Sequence, residues 1–356
     1  MNKIIEAFLG AFLVTFLFVY CFLIVGIYSL LLFDSLPFLT AITKAFTDTL
    51  YIGIALSSIV GLFQVVSELK TEINRKKYER KKTEIKNTIR PRLDMLIEEA
   101  RTKLKITGRQ VINIELLEPS KPNSIFTSKI GGLPYLPKDF EYPKNGKGEF
   151  LHLLAQINLE EIPFKTLLPS SGILQFYILG DDSFGLELSS ISKTVNDFKS
   201  QSYRIVYHQV ITEPYVQDFS FIPPPEHMPF EREFGLIFKE NYEYMSLFDY
   251  RINDYLDKSI LEYFEYESEE ISKALGLDLS KGKGTKLLGY PYFTQQDPRA
   301  NESKYELLFQ LDSFYNKSTK EWDIIWGDAG VGNFFITEEA LKNLDFSEVI
   351  YNWDCS

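Results

Sequence analysis

The stretch DAGVGNFFI, residues 328–336, has a partner in the stretch SSGILQFYI, residues 170–178. Aligned without a gap, the two place glycine on glycine, phenylalanine on phenylalanine and isoleucine on isoleucine. Two more pairs of strings match in the same order and at nearly the same offset, GLPY with GYPY and LLAQIN with LLFQLD. Three ordered matches predict an internal duplication, and two copies are too few for a solenoid.

Each copy has the same predicted course, in which a Gly-Pro-rich segment precedes a strand that carries a glutamine, and a glycine turn leads into an aromatic strand. Helices interspersed irregularly with strands favour an α+β fold. We therefore predict a duplicated, two-lobed α+β domain over residues 111–356. Its parts are repeat 1 at about 126–180, an insertion at 181–285 and repeat 2 at about 286–340.

Six strings along this region resemble the YwqG-like family of bacterial proteins: GGLPYLP, LLAQIN, LLGYPYF, LLFQLDS, IIWGDAGVGNFFI and YNWDC. The resemblance covers roughly residues 93–356 and leaves out the N-terminal region. It implies a duplicated α+β fold. It implies no activity or cofactor, because that family is of unknown function.

The N-terminal region contains two uncharged runs, at residues 7–33 and 49–67. A membrane-spanning helix needs about 20 apolar residues, so residues 1–67 are predicted to form a transmembrane hairpin, with a loop marked by Asp34, Pro37, Lys44 and Asp48. The alternative for the second run is a buried soluble helix. Lys and Arg concentrate after residue 67, and such residues stay on the cytoplasmic side. This predicts a multi-pass protein of the cell membrane with both termini and the main domain in the cytoplasm.

Residues 68–110 are predicted to form a basic amphipathic helical connector, interrupted by Pro91. Basic side chains just inside a bilayer are attracted to anionic lipid. The predicted contacts with the membrane surface, as a general topology signal or as a more specific lipid site, are Arg75, Lys76, Lys77, Arg80, Lys81 and Lys82.

Charge and cysteine content exclude several classes of function. The net charge of −11 argues against nucleic-acid binding. The two cysteines, Cys21 and Cys355, form no disulfide framework and no metal quartet. We find no catalytic motif, and we expect no metal and no cofactor.

The candidate ligand-binding residues lie on the glutamine strands and in the glycine turn. Alternation along a strand places Gln156 with Asn158 on one face, and Gln310 with Asp312 on the equivalent face of the other copy. If the lobes meet, these groups converge on one cleft. Trp326 and Asp328 in WGDAGVG complete the predicted set, although this stretch lacks the lysine of a P-loop. The alternatives are that the glutamines satisfy buried backbone groups and that the turn is structural.

The leading interpretation is a membrane-anchored cytoplasmic binding or interaction module of unknown ligand, with an immunity-type or regulatory role. The acidic segment 226–270 is its expected surface for a protein partner, with 13 Asp and Glu against 4 Lys and Arg. The first alternative is a hydrolase-like enzyme that uses Asp312, Asp328 or Glu306 in the cleft. The second is a membrane scaffold that oligomerises through its spans.

Overall fold

The computed structural model describes residues 36–118, 122–186, 202–245, 249–275, 282–295, 297–299 and 304–355. The chain divides into two compact units, Met1–Thr88 and Ile89–Ser356. The predicted first span, residues 7–33, lies outside the described residues.

Helix α1, Leu36–Ile89, is continuous over 54 residues and corrects the predicted loop before residue 49. Pro37 is its second residue, where the missing amide hydrogen costs nothing because first-turn amides have no partner within the helix. Lys44 and Asp48 continue it. Within the described part of the chain, no helix is both long enough and apolar enough to cross a membrane.

A short 3₁₀ turn, Arg90–Arg92, follows α1 and contains Pro91. Helix α2, Leu93–Lys105, then buries a stripe of apolar residues at three- and four-residue steps. The helical part of the predicted connector therefore ends at Lys105. The chain enters its first strand at Arg109.

The second unit is built on strands with a few short helices. The strands are β1 Arg109–Leu117, β2 Lys129–Ile130, β3 His152–Asn158, β4 Ile173–Ile178, β5 Tyr203–His208, β6 Phe234–Glu243, β7 Lys286–Leu288, β8 Tyr305–Asp312, β9 Phe314–Asn316, β10 Glu321–Ile324, β11 Val331–Thr337 and β12 Ile350–Asp354. The helices are α3 Lys258–Phe264, α4 Ser268–Leu275 and α5 Glu338–Lys342. This mixture confirms the α+β class.

Ten strands form one antiparallel sheet in the order β12-β11-β8-β7-β1-β6-β2-β3-β4-β5. The order is symmetric about the central pair, β1 and β6. Strand β1 precedes repeat 1 in the chain but lies beside β7 of repeat 2, and β6 precedes repeat 2 but lies beside β2 of repeat 1. Each repeat thus exchanges its first strand with the other.

This exchange corrects two predictions. The repeats form one continuous sheet and not two lobes, because their first strands pair with each other and with the opposite repeat. Residues 181–285 are not an insertion, because they contain β5 and β6. The predictions were wrong because matching stretches of sequence do not show whether a strand pairs with strands of its own repeat or with strands of the other repeat.

The two repeats also share one core. The ring of Phe176 on β4 lies 4.7 Å from that of Phe309 on β8 and 5.0 Å from that of Phe334 on β11. The sheet curls until its edges come together, where the Tyr203 hydroxyl on β5 donates to the carbonyl oxygen of Val349 at 2.7 Å. Apolar side chains fill the space in which the predicted cleft would lie.

Candidate functional site

Gln156, on β3, is fully buried and has all of its amide atoms bonded. Its Oε1 accepts from the backbone amide of Tyr135 at 2.8 Å. Its Nε2 donates to the carbonyl oxygens of Ile125 and Thr127, both at 2.9 Å. The side chain therefore fastens the irregular segment before β3 to the sheet.

Gln310, on β8, makes the same three bonds in the second repeat and is equally buried. Its Oε1 accepts from the backbone amide of Tyr292 at 2.8 Å, and its Nε2 donates to the carbonyl oxygens of Gly282 and Gly284 at 2.6 and 2.8 Å. All three partners are the positional equivalents of those of Gln156. These contacts match the alternative interpretation, in which the glutamines satisfy backbone groups, and leave neither amide available to a ligand.

Asn158 and Asp312 also bond within their own repeats. The Oδ1 of Asn158 accepts from the amide of Glu160 at 3.1 Å, which caps a short 3₁₀ turn. The Oδ2 of Asp312 accepts from the amide of Gly284 at 2.6 Å, and burial raises the pKa of the Asp312 carboxyl. The side chains of Asn158 and Asp312 are thus each engaged by a backbone amide of the protein.

Trp326 and Asp328 are in different environments. Trp326 is fully buried in the core, whereas Asp328 is exposed in a turn closed by a bond from the Gly330 amide to the Trp326 carbonyl at 2.7 Å. The glycine is required by close packing, since a Cβ on Gly330 would overlap the carbonyl oxygen of Asp354. Its counterpart Gly172 lies against the end of β5 in the same way. These contacts favour the alternative interpretation, in which the turn is structural.

Glu306, named in the hydrolase alternative, is held by two arginines. Its carboxylate oxygens lie 2.6 Å from Arg109 and 2.6 Å from Arg251. Arg251 also pairs with the buried Asp249, which pairs in turn with the buried Arg299 at 3.0 Å. Both oxygens of the Glu306 carboxylate accept hydrogen bonds from guanidinium groups, so the contacts of Glu306 favour a structural role.

Part of the acidic segment 226–270 is paired with basic side chains, and its role as a partner surface stays a prediction. Glu243 pairs with the buried Lys286 at 3.0 Å, and Glu270 pairs with Arg90 at 3.1 Å. Asp249 is fully buried. Several of the charges counted in the sequence are therefore neutralised inside the fold.

The predicted membrane-surface residues lie on α1. Five of the six basic side chains are exposed and one, Lys82, is half-exposed. Arg75 pairs with Glu72 of the same helix at 2.9 Å. Exposure is compatible with a lipid surface nearby, and contact with lipid stays a prediction.

The structure also contains a cavity that sequence reasoning missed. It has a volume of about 770 Å³ and lies beside the first half of β6. Its walls come from the end of β1, the segment before β2, the turn after β3 and the start of β6. The lining residues are Leu117, Glu118, Pro122, Asn123, Ser124, Thr127, Ser128, Glu161, Pro163, Gly235, Leu236, Ile237 and Phe238.

The cavity exists because β2 is much shorter than β6. Strand β2 pairs with β6 only at Lys129–Gly235 and Ile130–Phe234. The residues just before β2 are held elsewhere, since the amide of Ser128 donates to Glu161 at 2.9 Å and the carbonyl of Thr127 accepts from a buried glutamine. A gap therefore opens in the sheet where β2 would otherwise continue.

The charged residues that line the cavity are both acidic, and one of them, Glu118, is paired with Arg232 at 2.6 Å. The lining includes the carboxylates Glu118 and Glu161 and contains no Lys or Arg among the described residues. Behind the wall, the buried Lys129 ammonium donates to the carbonyl of Ser124 at 2.9 Å, and burial lowers the pKa of Lys129 to about 8. The Nδ2 of Asn123 is buried and has no partner.

Fold and site together define an α+β protein with one symmetric antiparallel sheet, made by two repeats that exchange their first strands, and with a cavity beside β6. The chain belongs to the family described as domain of unknown function DUF1963, whose sequence profile matches residues 128–355. The match begins one residue before β2, so the β1 wall of the cavity precedes it. A search of curated proteins found no match.

Proposed function

We propose that this protein is a binding module whose ligand occupies the cavity beside β6. The observation that carries the proposal is the cavity itself, because a volume of about 770 Å³ lies within the range typical of ligand sites. Its lining combines apolar side chains with a few polar groups, as such sites do. The cavity replaces the inter-lobe cleft as the candidate site.

The cellular setting belongs to the same proposal and rests on the sequence. The uncharged runs at 7–33 and 49–67 and the basic residues after them support an anchored protein whose second unit faces the cytoplasm. The YwqG-like resemblance is the finer family assignment and adds no activity. An immunity-type or regulatory role is compatible with a module that captures a ligand beneath the membrane.

Site-specific cross-linking in cells tests the proposal. A photoreactive phenylalanine analogue replaces Ile237, which lines the cavity and is 42% exposed, in the full-length chain. We expect a cross-linked species that is lost when Thr127→Phe fills the cavity. It should persist with Thr319→Phe, the same substitution at an exposed position outside the lining.

Two results would contradict the proposal. One is the absence of any cross-linked species from Ile237. The other is an equal yield with Thr127→Phe, provided that this variant keeps the denaturation midpoint of the parent chain, which excludes loss of folding as the cause.

A further inference from the structure

The backbone of β6 presents unused hydrogen-bonding groups to the cavity. In the antiparallel pair of β1 and β6, Ile114 lies opposite Phe238. The amide of Ile114 points away from β6, because it donates to the carbonyl of Thr285 at 2.9 Å. Ile114 and Phe238 are therefore a pair without mutual hydrogen bonds, and the amide of Phe238 must point away from β1 as well.

The same reasoning applies two residues earlier. Register is continuous along β1 and β6, and backbone direction repeats every second residue of a strand. The amide of Leu236 thus also points away from β1, and both Leu236 and Phe238 line the cavity. Pairing with β2 stops at Gly235, so within the described residues these two amides have no backbone partner.

The other half of the sheet provides an internal comparison. Lys129 on β2 corresponds to Lys286 on β7, which makes Leu236 the counterpart of Ile114 and Ser128 the counterpart of Thr285. Ile114 bonds the carbonyl of Thr285 there, whereas no equivalent bond joins Leu236 to Ser128 among the described residues. The half of the sheet that contains β7 therefore has a backbone hydrogen bond at this position, and the half that contains β2 lacks the equivalent bond among the described residues.

An open strand edge inside a cavity suits one kind of ligand particularly well. An extended polypeptide can add to the edge as a strand, so that its carbonyls accept from the exposed amides and its own amides donate back. An added strand would satisfy both free amides of β6 together.

The charge of the lining indicates the side chain that the ligand carries. Glu161 faces the cavity, and Glu118 does so while paired with Arg232 at 2.6 Å. Leu117 and Ile237 add exposed apolar surface at 52% and 42%. A basic residue flanked by apolar ones complements both features.

We propose that the cavity binds an extended peptide segment, with a Lys or Arg flanked by apolar residues, as an added antiparallel strand on the edge of β6. This inference rests on the proposed function and specifies the ligand of the same site. The partner is a protein that presents such a segment, in a strand-like conformation.

The test uses the full-length chain and a phage-displayed library of heptapeptides with a fixed central Lys. We expect selected peptides to slow hydrogen exchange at the amides of Leu236 and Phe238 by at least about tenfold, followed by NMR. Only every second backbone amide of the bound peptide faces β6. Methylation of the peptide nitrogens that face β6 should therefore abolish binding, whereas methylation of the nitrogens between them should leave binding intact.

A charge-matched pair of variants tests the role of the carboxylate. Glu161→Gln should weaken the selected peptides about threefold to tenfold, as expected for a partly exposed charge pair. Glu160→Gln removes the same charge one residue earlier, outside the lining, and should leave the affinity unchanged. Two results would overturn the proposed basic residue of the ligand. One is an equal affinity of the two variants for the selected peptides. The other is an unchanged affinity when the central Lys of a selected peptide is replaced by Glu.

The outcomes separate this inference from the proposed function. If no heptapeptide binds above background while Ile237 still cross-links to a species that Thr127→Phe excludes, the module binds something other than an added strand. Peptide binding without protection of Leu236 and Phe238 would refute strand addition in the same way. If the cross-linking also fails, the proposed function fails with it.

Discussion

Replacement of Gln310 by leucine tests the idea that the two buried glutamines hold the sheet together. The side chain is fully buried and makes three bonds to backbone groups, those of Tyr292, Gly282 and Gly284. Leucine fills much of the same space but bonds none of them. The variant therefore leaves one amide and two carbonyls without their partner inside the fold.

The expected loss follows from the number of these groups. Each buried backbone group that loses its partner costs about 1–3 kcal/mol, and partial relaxation keeps the total near the low end of that range for each. We expect Gln310→Leu to lower the free energy of unfolding by about 3–5 kcal/mol, a large part of the stability of an ordinary domain. Gln156→Leu should cost at least as much, because Gln156 also accepts from Gln175 at 2.8 Å.

The assay is urea denaturation of the purified chain, followed by tryptophan fluorescence and far-ultraviolet circular dichroism. Gln209→Leu, at an exposed position after β5, is the control and should change stability by less than about 0.5 kcal/mol. The argument is refuted if Gln310→Leu costs less than about 1 kcal/mol, or if the two buried variants differ by more than about 3 kcal/mol.

Three further predictions concern the same unit. Burial lowers the pKa of His208 from 6.5 to about 4, so its neutral ring stabilises the fold above pH 6.5. The free energy of unfolding should therefore fall by roughly 3 kcal/mol as the pH drops from 6.5 to 4. In denaturation series at several pH values, His208→Asn should reduce this dependence on pH. An unchanged dependence would contradict the role given to His208. Arg299→Met leaves Asp249 and Asp297 buried without their common partner, and it should lower the free energy of unfolding by about 3–5 kcal/mol in urea denaturation. Lys342→Met breaks an exposed ion pair and should lower it by less than about 0.5 kcal/mol. Gly330→Ala meets the backbone of Asp354 and should lower the melting temperature more than Gly235→Ala, where no positive φ is involved and the nearest atom is the side-chain oxygen of Asn123 at 3.3 Å; the reverse order would be evidence against close packing at the turn.

The glutamine strands and the glycine turns could be predicted from the sequence because both are local. Alternating apolar residues place Gln156 and Gln310 on strands, and in the structure Gln156 lies on β3 and Gln310 on β8. The equivalence of the two copies was also visible, since the matching strings carry the same backbone contacts. The matching strings do not show whether the glutamine side chains bond to a ligand or to the protein backbone. The sequence of a strand is the same in either case.

The strand exchange and the cavity could not be predicted, because both depend on pairing between distant segments. Strand β6 lies in a stretch that reads as acidic and irregular, and its central position follows only from its pairing with β1. The cavity depends on where pairing with β2 stops, at Gly235, and no local pattern marks that residue. Nor does a charge count show which carboxylates are paired, since Asp249 and Glu243 have buried basic partners far away in the chain.

The crossed placement of β1 and β6 also bears on how the chain can be synthesised and folded. When the ribosome has completed β5, the strand β1 still lacks both of its eventual neighbours, and β2 lacks one of them. The open side of β2 is filled only when the chain has grown through β6, more than a hundred residues after β2, and β1 gains its second neighbour only with β7. The first half therefore cannot mature ahead of the second during translation, as the N-terminal part of a modular protein commonly does, and the late, long-range closure favours slow folding.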